Sequence, residues 1–182
     1  MAPFYTAQGD SGDTGYLGPG RISKASNRIE ALGCVDEASA VLGLARALSE
    51  NNMTKSILLF IQKRLYLLMS ELSAAPDVAY QFDRINQDDI DWLEDQIAGL
   101  EALVTIPREF IIPGDNPVSA ALDIGRTIIR RAERRAITLL ESGGIDKPLL
   151  IAYLNRLSSL IFVLEIYETA ESGENLTLAK EK

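Results

Sequence analysis

The chain has 182 residues, 47% hydrophobic and 24% charged, with 18 Lys and Arg against 26 Asp and Glu for a formal net charge of −8. This is the composition of a single domain able to bury a core, far from the composition of disorder, and its acidity argues against general binding to nucleic acid, which needs a basic surface. One cysteine, Cys34, permits no internal disulfide and points to a reducing, cytoplasmic setting, while the absence of histidine excludes Ser-His-Asp and Cys-His catalysis and imidazole metal sites.

The N-terminus, Met1 to Tyr16, has neither a basic start nor an apolar run, so no secretory signal is expected. No stretch is expected to approach the ~18 apolar residues of a spanning helix, so no membrane partner is expected either. Residues 5–26 are rich in Gly, Ser, Asp and Thr without apolar periodicity, which predicts an ordered or ligand-ordered loop and no strand. From Arg28 to Ser49 the set Ile29, Leu32, Val35, Ala38, Leu42 and Ala45, extended by Leu48, recurs every three or four residues, the mark of one helical face. A second helix is predicted from about Met53 to Ala75, stopped by Pro76.

A third begins near Asn86, a capping residue followed by Asp88, Asp89 and Asp91 where carboxylates suit the helix dipole, and ends before Pro107. The fourth follows Pro117 and continues to Ser142, where Gly143-Gly144 terminates it; the last covers Pro148 to about Ser172. Five helices with short connections and no convincing strand predict an all-α antiparallel bundle, four-helix-like with one extra helix. The charged tail after Gly173 is predicted to be disordered.

Four segments carry candidate chemistry. In the loop, Thr6, Gly9, Asp10, Gly12, Asp13 and Thr14 precede Arg21 and Lys24. Glycines let backbone N–H groups approach phosphate, hydroxyls add donors, Asp can hold magnesium, and the two cations supply charge. The sequence is neither a Walker P-loop nor a Rossmann turn, and a floppy stretch of turn residues is the bland alternative. On the fourth helix, Arg126, Arg130 and Arg134 form an i, i+4 row with Glu133 beside it. Such a row repels itself unless anions face it: either carboxylates of a neighbouring helix or a polyphosphate, to which Arg offers forked, charge-assisted bonds. On the fifth helix, Asn155 and Arg156 interrupt an apolar run and must be hydrogen-bonded between helices or to a ligand. Phe110, ahead of Pro113-Gly114, would ordinarily be core.

Together these segments resemble the PduO-type ATP:cob(I)alamin adenosyltransferases. The shared pattern stands here as Gly9-Asp10-Ser11-Gly12-Asp13-Thr14, Gly20-Arg21-Ile22-Ser23-Lys24, Val35-Asp36-Glu37-Ala38, Phe110 with Pro113-Gly114, Arg126 through Arg134, and Tyr153 through Ser159. The resemblance spans residues 5 to about 165 in order, and its most specific parts are Arg130-Arg131-Ala132-Glu133-Arg134 and Tyr153-Leu154-Asn155-Arg156-Leu157-Ser158. It implies a ferritin-like five-helix bundle assembling as a homotrimer, with each ATP held between the loop of one subunit and the arginine helix of the next.

The same resemblance implies that Asp36 pairs across the interface with Arg126, that Asn155 helps hold the nucleotide, and that Phe110 faces the corrin and keeps a lower axial ligand away. The implied reaction passes the 5′-deoxyadenosyl group of ATP to cob(I)alamin and releases triphosphate, with magnesium carried by ATP, Glu133 a possible metal contact, and a cob(II)alamin reductase as electron source. Positioning and stabilisation of the departing triphosphate are what such a reaction asks of a protein, and neither needs histidine. Departures from the pattern are Ala7 and Gln8 before Gly9, Ala38, Ser159, and Asp123, which lies within reach of Arg126. They leave open a second reading, a trimeric protein of this fold that binds nucleotide or corrinoid without turnover, and a third, a structural bundle whose arginines pair internally.

Overall fold

The structure is a computed structural model that describes residues 7–180. Among these, the chain is mostly helical, with a small two-stranded ribbon near its start: β1 (Asp13–Gly15), β2 (Arg21–Ser23), α1 (Asn27–Leu48), α2 (Asn52–Ser73), a 3-10 helix (Pro76–Phe82), α3 (Gln87–Glu101), α4 (Pro117–Glu141) and α5 (Leu149–Glu171). Local signals account for the helix starts. Ser26 accepts from Ile29 N, Asn51 from Met53 N and Thr54 N, and Asn86 and Asn116 form reciprocal capping boxes with Asp89 and Ser119. Pro117 opens α4 because a missing N–H is harmless in the first turn.

The helices neighbour one another in the order α2, α1, α4, α5, α3. Polar pairs fix their directions. Glu30 with Arg135 and Glu37 with Arg131 run α1 against α4, while Asn155 with Glu133 and Phe162 with Arg126 run α4 against α5. Gly125 allows α4 to pack tightly on α1, since a Cβ there would stand 2.9 Å from Leu42 Cδ2. The core gathers Val35, Leu42, Ile61, Leu65, Ile129 and Leu157, among others, all fully buried. Leu48, expected on the buried stripe, is instead 43% exposed at the helix end.

Several expectations are corrected. Residues 13–23 do contain strands, paired antiparallel with Asp13 opposite Ser23 and Gly15 opposite Arg21. The reason is non-local. Leu17 N donates to Ser73 O at 2.7 Å and Ala75 N to Leu17 O at 3.1 Å, so the hairpin is sewn to the end of α2, and only a glycine fits at position 18, where φ is 119° and a Cβ would meet Val78 Cγ2 at 2.6 Å. α3 does end before Pro107, at Glu101, whereas the segment from Pro76 to Phe82 winds into an unanticipated 3-10 helix.

The tail is not free through residue 179: Ile112 N donates to Thr177 O and Ala179 N to Phe110 O, both at 2.7 Å, so it pairs with the segment before α4. α5 is long and apolar enough to cross a membrane, with mean hydropathy 1.7, against the expectation that no stretch would be. Its composition has a packing cause, because a helix set between α4 and α3 needs apolar residues on most sides.

The base of the hairpin rests on Arg28, which is buried and donates to Leu72 O at 2.7 Å, to Ala74 O at 3.3 Å and to Gly144 O. These carbonyls lie in the last turn of α2, at its C-cap and just past the end of α4, where helices leave acceptors unpaired, and leaving such groups unsatisfied costs about 1–3 kcal/mol each. Burial lowers the Arg28 pKa from its ordinary value, and Tyr16, whose ring lies 5.8 Å away, partly offsets this. Sequence reading did not single out Arg28; a lone cation in the first turn of an apolar-periodic helix was the available signal.

Candidate functional site

α4 presents its five arginines in two directions. Arg131 pairs with Glu37 and Arg135 with Glu30 at 3.3 Å, so these two are engaged by carboxylates of α1. The i, i+4 row points elsewhere. Arg130 and Arg134 are exposed and have no ion pair among the described residues, while Arg126 is half-buried, its Nε and Nη2 both 2.7 Å from Asp123 Oδ1 and its guanidinium 6.0 Å from the centre of the Phe162 ring. Internal pairing of the arginines therefore holds for three of the five and leaves two open.

Arg126 and Arg130 line a cleft of roughly 580 Å³ together with Phe110, Pro113, Ser159 and Phe162. Phe110, expected in the core, is 89% exposed at this cleft. The cause lies in the backbone, because Phe110 O accepts from Ala179 N and Asp115 accepts from Thr177 N at 3.1 Å and Thr177 Oγ1 at 2.6 Å. Those bonds hold the 110–115 segment as an edge, with its large apolar side chain outward. A cleft with cations at one part and exposed aromatic surface at another can bind a ligand that is both anionic and broad.

Asn155 is held between helices. Its Nδ2 donates to Glu133 Oε1 at 2.9 Å and its Oδ1 accepts from Arg156 Nη1 at 3.1 Å, while Arg156 Nε reaches Glu94 at 2.8 Å. This chain joins α3, α5 and α4 beside Arg130 and Arg134. Interhelix bonding is thus what these two residues do within the chain.

The loop is shaped by its own cations. Arg21 donates to Gln8 O at 2.6 Å and Asp13 O at 3.0 Å, and Lys24 Nζ donates to Gly9 O at 2.7 Å, with Lys24 N bound to Gly12 O at 2.8 Å. Asp10, Ser11 and Gly12 are exposed at its tip, Asp13 and Thr14 are half-buried in β1, and Thr6 lies outside the described residues. Ala7 sits at φ 55°, a left-handed conformation that costs a non-glycine residue roughly 1–2 kcal/mol, and its carbonyl accepts from Asp10 N to close the turn. Among the described residues no hydrogen bond joins this loop to Arg126, Arg130 or Arg134, and Asp36 is exposed on α1 without an ion pair. One chain does not bring the two halves together.

A family model described as cobalamin adenosyltransferase matches residues 4–168. The chain belongs to that family. It is 36% identical over 174 residues to the corrinoid adenosyltransferase of Bacillus subtilis (strain 168), covering 93% of this chain and 88% of that one, and 35% identical over 183 residues to that of Mycobacterium leprae (strain TN), covering 97% and 95%. Against the corrinoid adenosyltransferase PduO of Citrobacter freundii it is 33% identical over 182 residues, covering 97% of this chain and 53% of that protein, so it spans about half the length of this longer relative.

Among solved structures, a variant of the PduO-type ATP:corrinoid adenosyltransferase from Lactobacillus reuteri, complexed with cobalamin and ATP, superposes with a TM-score of 0.92 at 28% identity over 98% of this chain and all of that one. A second variant of the same enzyme, complexed with ATP, gives 0.88 at 29%, covering 97% of this chain and all of that one. Two carboxyls stand out near the arginine row of this chain: Asp123, paired with Arg126, and Glu165, buried on α5.

Proposed function

We propose that this member of the cobalamin adenosyltransferase family transfers the 5′-deoxyadenosyl group of ATP to cob(I)alamin, as a five-helix bundle assembled into a homotrimer. The observation that carries this reading is a cleft in which the open Arg130 and the Asp123-paired Arg126 stand beside an outward Phe110. In the step itself the cobalt nucleophile attacks the 5′ carbon, a Co–C bond forms, the C5′–O bond breaks, and triphosphate leaves with the bonding pair. Arg130, Arg134 and Arg126 stabilise that departing charge, a task for forked guanidinium donors in a partly dry cleft. Phe110 covers the lower corrin face and excludes an axial ligand.

The trimer supplies what one chain lacks. The loop residues Gly9, Asp10, Gly12, Asp13 and Thr14, with Arg21 and Lys24 bracing their carbonyls, meet the arginine row of a neighbouring subunit, and Asp36 reaches the neighbour's α4. Magnesium arrives on the phosphates; no group of three or more acidic or thiol side chains that could hold it stands among the described residues, and Glu133 offers one carboxylate near the row. Asn155, pinned by Glu133 and Arg156, presents its amide to the nucleotide. The enzyme works in the cytoplasm, with a cob(II)alamin reductase delivering the electron.

Incubation with ATP, magnesium and chemically reduced cobalamin under anaerobic conditions tests the reading by the corrin spectrum. Adenosylcobalamin is the expected product, and its absence from a folded protein refutes the assignment. The engagement of Arg126 by Asp123 and of Arg21 and Lys24 by loop carbonyls favours a second reading, a binding protein without turnover. Calorimetry separates the two, because tight ATP or corrinoid binding without triphosphate release is its signature.

A further inference from the structure

Glu165 stands in the middle of α5, flanked by the buried Leu164 and Ile166, and is itself 2% exposed. Its Oε2 has no hydrogen-bond partner among the described residues. One helical turn earlier on the same face is Phe162, the ring beneath the Arg126 guanidinium. α4 contributes Asp123 and Arg126 to this spot, and the turn before α4 contributes Asp115; these are the charges that act on Glu165. Glu165 thus lies within electrostatic reach of two carboxylates and the Arg126 guanidinium, and is bonded to none of them among the described residues.

We propose that Glu165 is a positioning residue for the anion-binding end of the cleft, keeping a proton beneath the Asp123–Arg126 pair so that Arg126 has one carboxylate partner and retains donors for an incoming phosphate. A buried carboxyl without a partner is far costlier ionised than neutral. Burial chiefly, with Asp123 and Asp115 adding to it against Arg126, pushes the Glu165 carboxyl up to about 7. Above that pH a further negative charge acts close to the Asp123–Arg126 pair, and the cleft that Arg126 and Arg130 line loses attraction for anions. Affinity for the phosphate chain is then set by a proton that never touches it. Nothing in the local sequence requires an acid here, since an apolar residue would suit the helix equally.

The inference rests on the reading of the cleft as the ATP site, and calorimetry with MgATP on the whole protein tests both. Wild-type protein should bind about tenfold more weakly near pH 8.5 than near pH 6, the effect of one added charge at a distance of several ångströms. Glu165→Gln, neutral at every pH, should keep the low-pH affinity throughout. The same pH dependence in both proteins overturns the role of Glu165 alone, whereas no MgATP binding by either at either pH overturns the cleft reading and this one with it. A measurement on wild type covers a variant that fails to fold. Infrared titration should show a protonated-carboxyl band lost near pH 7 and displaced to higher pH by MgATP; a band that MgATP does not move refutes the proposal.

Discussion

Asp123 meets both Nε and Nη2 of Arg126 through a single oxygen at 2.7 Å, three residues away on the same helix. The pair is half-buried, so solvent does not screen it fully, yet it lies at the cleft where an anion must compete for the same guanidinium. Replacing Asp123 by Ala should therefore strengthen MgATP binding severalfold, about 1 kcal/mol, with the gain shrinking as salt is raised. Titrations at low and high ionic strength check this, and unchanged affinity contradicts a competitive role for the aspartate.

Arg130 and Arg131 are neighbours in sequence with opposite surroundings. Arg130→Ala should lower turnover by about 10²–10³-fold, the scale for losing one charge-stabilising donor, with the thermal midpoint unchanged because no ion pair is lost. Arg131→Ala should do the reverse, keeping turnover while losing on the order of 0.5 kcal/mol of stability from its exposed pair with Glu37. Anaerobic assay beside thermal melting distinguishes them, and equal loss of turnover in both would undo the division of the arginines.

The bonds from Thr177 and Ala179 tie the orientation of Phe110 to the tail. Truncation after Gly173 should raise KM for the corrinoid while MgATP affinity stays as it was. Phe110→Ala should leave stability within about 0.5 kcal/mol, since so exposed a ring buries little on folding, and should slow adenosylation. A truncated protein with unaltered KM would show that the tail does not position the ring.

Stability should also carry the signature of Glu165. An acid whose folded pKa is raised contributes fully below its ordinary value of 4.5, and that contribution is lost as pH rises through about 7. Relative to wild type, Glu165→Gln should gain stability between these limits, on the order of 3 kcal/mol at most. Denaturant titrations across this range provide the measurement, and a difference that does not grow with pH excludes a raised carboxyl.

Helical periodicity and capping residues were legible because they are local: Asn86 with Asp89 announces α3, and the spacing of Val35, Ala38, Leu42 and Ala45 marks the inner face of α1. The ordered motifs around Arg126, Arg130 and Asn155 likewise specify the family, because their residue types and spacing persist whatever the surroundings. The strand in 13–23 was not legible, since its support is Ser73 and Ala75, far along the chain. The exposure of Phe110 was legible only through the family resemblance and not from local pattern, since it depends on a tail segment bridged to Ile111 from Leu178, 67 residues later.

By itself, then, the sequence determined where the helices run and which arginines share a face, which depend on residues within a turn or two of one another, and which family its ordered motifs belong to, which depends on residue identity and order alone. Only the tertiary structure decided which face of α4 meets Glu30 and Glu37 and which stays open, that Arg126 is claimed by Asp123, and that Glu165 is enclosed without a partner. Those outcomes follow from packing between distant segments, where burial and the nearest opposite charge, not spacing along the chain, set what a charged side chain is free to bind.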